Sequence, residues 1–145
     1  MKRKDCLKIV RAINDIDAIK SELVQCINTN IESANKRGTW QFFASKLLTY
    51  IESDFSGNPP FSIYILKGNK KLPFANYSSL ALADCPGKGD CAKFCYSLTA
   101  WRYPAAFFRQ LQNSLLMRFN PEKIESEFLS LPSNITLRLF VDGDF

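Results

Sequence analysis

Three of the five cysteines of this chain fall within eleven residues, in the run Asp84-Cys85-Pro86-Gly87-Lys88-Gly89-Asp90-Cys91-Ala92-Lys93-Phe94-Cys95-Tyr96. The spacing is Cys-x5-Cys-x3-Cys, and Pro86, Gly87 and Gly89 supply the turns that let a short backbone aim three sulfurs at one point. That is the pattern of a ligand loop, with Cys85, Cys91 and Cys95 as candidate metal ligands. Three thiolates without a fourth protein ligand suit a 4Fe-4S cluster that keeps one iron open. Zinc is the competing ion, since it too takes thiolates in short loops. The chain has no histidine, so zinc would draw its fourth ligand from Asp84, Asp90, Cys6 or Cys26. The absence of any metal is a third alternative. Phe94 and Tyr96 flank the last cysteine, which leads us to expect an apolar wall that keeps water off the thiolates.

The elements that would position this loop follow from pattern. Apolar residues recur at helical spacing from Asp5 to Ile31, as one amphipathic helix or as two broken near Asn14. Cys6 and Cys26 lie in this stretch and are expected as small apolar fillers of the core. Thr39 is placed to cap a further helix carrying Trp40, Phe43, Leu47 and Ile51 on one face. A helical hairpin is expected, with Trp40, Phe42 and Phe43 filling a helix–helix core rather than forming a platform for bases. The breakers Ser56-Gly57-Asn58-Pro59-Pro60 then set a boundary between a helical region, 1–56, and a cysteine-rich α/β region, 61–145.

In the second region, 61–66 and 77–83 have strand composition, and the latter run leads straight into Cys85. Pro104 suits the first turn of a helix that runs to Asn120, and Asn120-Pro121 suits the start of another, bearing Ile124, Phe128 and Leu131. Residues 135–141 form an apolar, β-branched strand that ends on Asp142-Gly143-Asp144-Phe145. Strand, loop, helices and strand make a βαβ unit with parallel strands and a right-handed crossover. Ligand sites gather at the carboxyl ends of such strands, so the three sulfurs are expected to converge there, near Asp142, Gly143 and Asp144. The fold class is thus α+β or α/β: a helical hairpin followed by a partial βαβ unit.

Residues 61–145 resemble the gene-product-88 family of phage and plasmid proteins. The likeness rests on Leu80 to Gly87, Cys91, Cys95-Tyr96, Arg102, Arg109, Asn113 and the terminal Leu139 to Phe145. A proline expected near Ala81-Leu82 and a serine expected at Asp142 are missing. The same layout is similar to the opening of a radical S-adenosylmethionine enzyme, whose usual spacing is Cys-x3-Cys-x2-Cys. That resemblance implies a 4Fe-4S cluster and S-adenosylmethionine as cofactors, with Phe94, Tyr96, Asp142, Gly143 and Asp144 on the cofactor side. It also implies that the chain holds only the truncated start of a barrel. A partner chain or a missing C-terminal part would then cover the open sheet edge.

The bulk numbers restrict the rest. No run of eighteen apolar residues occurs, which argues against a membrane span, and no apolar stretch follows the basic start, which argues against a secretory signal. An odd number of clustered cysteines fits a reducing, cytoplasmic setting. A net charge of +5 admits nucleic acid as a partner, and Lys2, Arg3, Lys4, Lys8, Arg11, Lys36 and Arg37 would form its surface. Two functions are therefore carried forward: an iron-sulfur protein of a mobile genetic element, or a basic accessory protein that binds nucleic acid and uses its cysteines structurally. Whether the chain is an enzyme is left open.

Overall fold

A computed structural model describes residues 1–68, 70, 71, 73–86 and 89–139. Helices α1 (Arg3–Arg11), α2 (Ile16–Asn28) and α3 (Trp40–Glu52) build the first third. The helical stretch at the start is two helices, because α1 ends at Arg11 and, after a short turn, Asp15 begins the next. Its carboxylate accepts hydrogen bonds from the backbone N–H groups of Asp17 and Ala18, both at 3.1 Å. Thr39 caps α3 as expected, accepting from the Phe42 N–H at 3.1 Å. Cys6 and Cys26 are buried among Ile9, Ile19 and Leu23.

Strands β1 (Tyr64–Ile65), β2 (Ala75–Tyr77) and β3 (Leu137–Arg138) form one small sheet in that order. β1 and β2 pair antiparallel, with Tyr64 opposite Tyr77. β2 and β3 pair parallel, with Ala75 opposite Leu137. Between the parallel strands lie the cysteine loop, the 3-10 helices Asp90–Phe94 and Tyr96–Arg102, then α4 (Pro104–Phe119) and α5 (Pro121–Leu129). Strand, crossover and parallel strand are therefore present, within a mixed α+β fold that is mostly helical. Pro104 and Pro121 each open their helix at the first position, where a missing N–H costs nothing. Asn120 does not cap α5; its amide nitrogen instead donates to the Phe55 carbonyl at 3.4 Å.

The strand expected over 77–83 does not form: β2 ends at Tyr77, and 78–83 run as loop and turn, while β1 covers only two of the residues expected at 61–66; α4 holds the backbone of both stretches. This helix is buried almost all round, with Phe107, Phe108, Leu111, Leu115 and Leu116 beside the equally buried Gln110, Gln112, Asn113 and Ser114. A buried polar side chain must find hydrogen-bond partners. Three of those of α4 find them in the backbone of the second region, while Gln110 accepts from the Trp101 indole at 3.2 Å. Gln112 pairs with both backbone groups of Phe61, accepting from its N–H at 3.0 Å and donating to its carbonyl at 2.8 Å. Asn113 donates to the carbonyls of Ile63 and Ser78, each at 2.8 Å. The Ser114 hydroxyl accepts from the Leu80 N–H at 2.7 Å. Residues 61–63 and 78–80 thus spend backbone groups on a helix that a longer strand would spend on its neighbour. Val141, the end of the third expected strand, lies outside the described residues, as do Asp142, Gly143 and Asp144.

One apolar cluster joins the helical first third to α4 and α5. Trp40 meets Phe107 and Phe108 at centroid distances of 5.8 and 5.7 Å, and Phe43 stacks on Phe108 at 6.0 Å. These aromatics fill a helix–helix core, as their spacing predicted.

Candidate functional site

The cysteine loop begins at a fixed root. After β2 the chain turns through Ala81, Leu82 and Ala83, and the Asp84 N–H returns to the Leu80 carbonyl at 3.1 Å. Leu82 is held at φ +67°, a left-handed conformation that costs a non-glycine residue roughly 1–2 kcal/mol. The bonds around Asp84 offset that strain. Its side chain, only 4% exposed, forms an ion pair with the Arg118 Nη1 at 2.6 Å and accepts a hydrogen bond from the Ser114 hydroxyl. Arg118 also donates to the carbonyls of Ser114 at 2.9 Å and Ala83 at 3.3 Å, and its Nε donates to the Asn14 side chain at 2.8 Å. One guanidinium therefore ties together the α1–α2 turn, α4 and the residue before Cys85. A buried carboxylate persists only when its charge is paired and its lone pairs are filled, and both conditions hold here.

This root changes the list of metal ligands. Asp84 is committed to Arg118 and Ser114, and Asp90 to Lys93 at 2.7 Å. Cys6 and Cys26 sit in the core, where burial pushes the Cys6 thiol up to about 12 and raises that of Cys26 as well. Metal ligation requires the thiolate, so burial holds these two in the wrong form. Of the four residues expected to offer zinc a fourth ligand, Asp90 is the one that stays exposed, paired only with the exposed Lys93.

Cys85 is half-buried and lines a groove of about 450 Å³ with Pro86, Met117 and Arg118. Cys91 is exposed on the 3-10 helix Asp90–Phe94. Cys95, between the two 3-10 helices, is half-buried and packs against the core. No disulfide links them. Among the described residues no group of three or more cysteine, aspartate or glutamate side chains is gathered closely enough to hold a metal ion. The expected convergence of the three sulfurs is therefore not present in this loop conformation. The 3-10 helix that carries Cys91 turns it to solvent while Cys95 faces inward.

Phe94 and Tyr96 do not wall the thiols off from water. They are 86% and 75% exposed, because the short helices on either side of Cys95 direct its neighbours outward. Asp142, Gly143 and Asp144, like Gly87, lie outside the described residues. Parallel pairing does place the carboxyl ends of β2 and β3 at the same end of the sheet, and the chain leaves β2 there toward Cys85. Arg102 is exposed at the end of its 3-10 helix, whereas Arg109 lines a separate cleft of about 540 Å³ with Phe61, Tyr64 and Glu127.

The residues that anchor the loop, Ser114 and Arg118, escaped the sequence reading; Asn113 entered it only through the family resemblance, and the clamping roles of Gln112 and Asn113 did not enter it. A signal was present: Gln110, Gln112, Asn113 and Ser114 interrupt an apolar helix on several faces at once, which a helix with one solvated face would not do.

No protein family model, curated protein or solved structure matches this chain.

Proposed function

We propose that this chain is an iron-sulfur protein of a mobile genetic element, with Cys85, Cys91 and Cys95 as the cluster ligands. The observation that carries the reading is the division among the cysteines. Two are sealed in the core, and the other three share one surface loop with a fixed root at the carboxyl end of a parallel strand. Apolar packing accounts for the first two, whereas Cys91 is exposed and Cys85 and Cys95 are only half-buried, so burial alone does not explain three cysteines on one loop. Three thiols without an imidazole suit a cluster with one open iron, and the carboxylate beside Cys85, Asp84, is already held by Arg118.

When bound, such a cluster supplies one-electron chemistry, and the resemblance to radical S-adenosylmethionine enzymes names S-adenosylmethionine as its co-substrate. Phe94, Tyr96, Asp142, Gly143 and Asp144 would then serve the cofactor. The exposure of Phe94 and Tyr96 supports this, because a bound group or partner would cover apolar surface that now faces water. In the same reading the βαβ unit is the start of a barrel, with a partner chain on its sheet edge. A reducing cytoplasm would keep the thiols available. Among the described residues no helix is long and apolar enough to cross a membrane.

The test is anaerobic reconstitution with iron and sulfide, followed by optical and electron paramagnetic spectra. Serine at position 85, 91 or 95 should abolish cluster formation, and alanine at 6 or 26 should leave it intact. A colourless protein that carries stoichiometric zinc and takes up no iron would rule the reading out.

One observation favours the second reading, a basic accessory protein that binds nucleic acid: Lys2, Arg3, Lys4, Lys8, Arg11, Lys36 and Arg37 are all exposed. Binding through them would weaken steeply with salt, in proportion to the phosphates neutralised. Retention of DNA or RNA at low salt, lost on charge reversal at Lys4 and Lys8, would establish it. Failure to retain either would remove it.

A further inference from the structure

A second cleft, which contains no cysteine, opens where α1 packs against the 3-10 helix Tyr96–Arg102. It has a volume of about 410 Å³, within the ordinary range for small-molecule sites. Arg3 enters it from α1, while Thr99, Trp101 and Arg102 come from the 3-10 helix and Trp40 from the start of α3. No carboxylate lines it, and neither Arg3 nor Arg102 has an acidic partner among the described residues. Two uncompensated guanidiniums from separate elements on one concave surface repel each other. An anion between them removes that repulsion, and the planar fork of arginine matches phosphate oxygens in particular.

The aromatic walls narrow the class of anion. Trp101 is held by a hydrogen bond from its Nε1 to Gln110 at 3.2 Å, and Trp40 is wedged against Phe107 and Phe108. Trp40 stays half-buried, which leaves part of an immobilised indole open to the cleft. A fixed aromatic surface in a cleft lined by two arginines suits a ligand that carries both a π-face and a phosphate. We propose that this cleft binds a mononucleotide, with its phosphate between Arg3 and Arg102 and its base against Trp40. The inference is independent of the cluster, because none of its residues is a cysteine.

The chain contains two tryptophans, and both line this cleft, so intrinsic fluorescence reports on it directly. Adenosine monophosphate titrated at low salt should change the tryptophan emission saturably, and inorganic phosphate should compete. Adenosine, which lacks the phosphate, should bind at least about tenfold more weakly, as expected for losing one charge-assisted hydrogen bond. Arg3→Gln and Arg102→Gln should each cost a similar factor. Arg138→Gln, at an exposed arginine of β3 outside the cleft, should bind as the parent does. An unchanged near-ultraviolet circular dichroism spectrum would show that the variants keep the tryptophans in place. The proposal fails if the emission does not respond, if adenosine binds as well as its phosphate, or if the double variant retains affinity. It also fails if Arg138→Gln weakens binding equally. Tighter binding of a single-stranded oligonucleotide by orders of magnitude would overturn the mononucleotide assignment in favour of a polymer.

Discussion

Asp84 and Arg118 stand thirty-four residues apart in sequence and 2.6 Å apart in space, and their ion pair fixes the root of the cysteine loop. The two partners are unequally buried, with the Asp84 side chain 4% exposed and that of Arg118 22%. Their removal should therefore have unequal effects. Arg118→Met strands a buried carboxylate and should cost roughly 3–5 kcal/mol. Asp84→Asn leaves a guanidinium that reaches water and keeps its bonds to Asn14, Ser114 and Ala83, so the loss should be about 1–2 kcal/mol. Chemical denaturation of both variants checks the order. Equal losses would show that the pair does not carry this asymmetry.

Gln112 meets both backbone groups of Phe61. Gln112→Leu keeps the volume but leaves a partly buried N–H and carbonyl without partners, at about 1–3 kcal/mol each. Gln112→Glu should be worse, because a carboxylate oxygen would face the Phe61 carbonyl. Denaturation midpoints should fall in the order parent, leucine, glutamate.

Stability should depend on pH above neutrality. The Cys6 thiol titrates near 9 when the chain is unfolded and is pushed up to about 12 by burial in the fold. Between those values the unfolded chain has released its proton and the folded one has not, so stability falls as pH rises. Below about pH 9 the contribution of this thiol is fully present; through pH 12 it is lost. Cys26, Tyr50 and Tyr77 are shifted in the same direction by burial and add to the trend. Unfolding measured from pH 7.5 to 10.5 under reducing conditions should show a downward slope above about pH 9, shallower in Cys6→Ala. A slope that the substitution leaves unchanged would assign it elsewhere.

Thiol reagents should separate the cysteines by burial. Cys91 should react first and Cys85 and Cys95 more slowly, with Cys6 and Cys26 reacting only on unfolding. Iron loading should protect the three on the loop, and chelation should restore their reactivity. Modification of Cys6 in the folded protein would contradict the core described above.

The helices were legible because their signals are local. Thr39, Pro104 and Pro121 stand where a helix must start, and Trp40 and Phe43 repeat at the spacing of one face. The break at Asn14 stayed ambiguous until the Asp15 side chain was seen to cap α2. Strand length was not legible, since it depends on which partner the backbone of Phe61, Ile63, Ser78 and Leu80 chooses, and that partner is a helix up to fifty-one residues later. Distance also hid Arg118, whose role exists only once α4 lies beside Asp84. The spacing of Cys85, Cys91 and Cys95 identifies a shared loop. Nothing in it shows that a 3-10 helix turns Cys91 outward.

The grip of α4 on earlier backbone bears on how the protein is made. A chain synthesised from its amino end releases residues 61–80 well before Gln112, Asn113 and Ser114 exist to hold them. Closing loops of that length is slow compared with forming the local helices of the first third. For part of its synthesis the nascent chain therefore carries this stretch ungripped, beside helices whose Trp40 and Phe43 still lack Phe107 and Phe108. That stretch is where a chaperone would engage and where arrested chains would aggregate first.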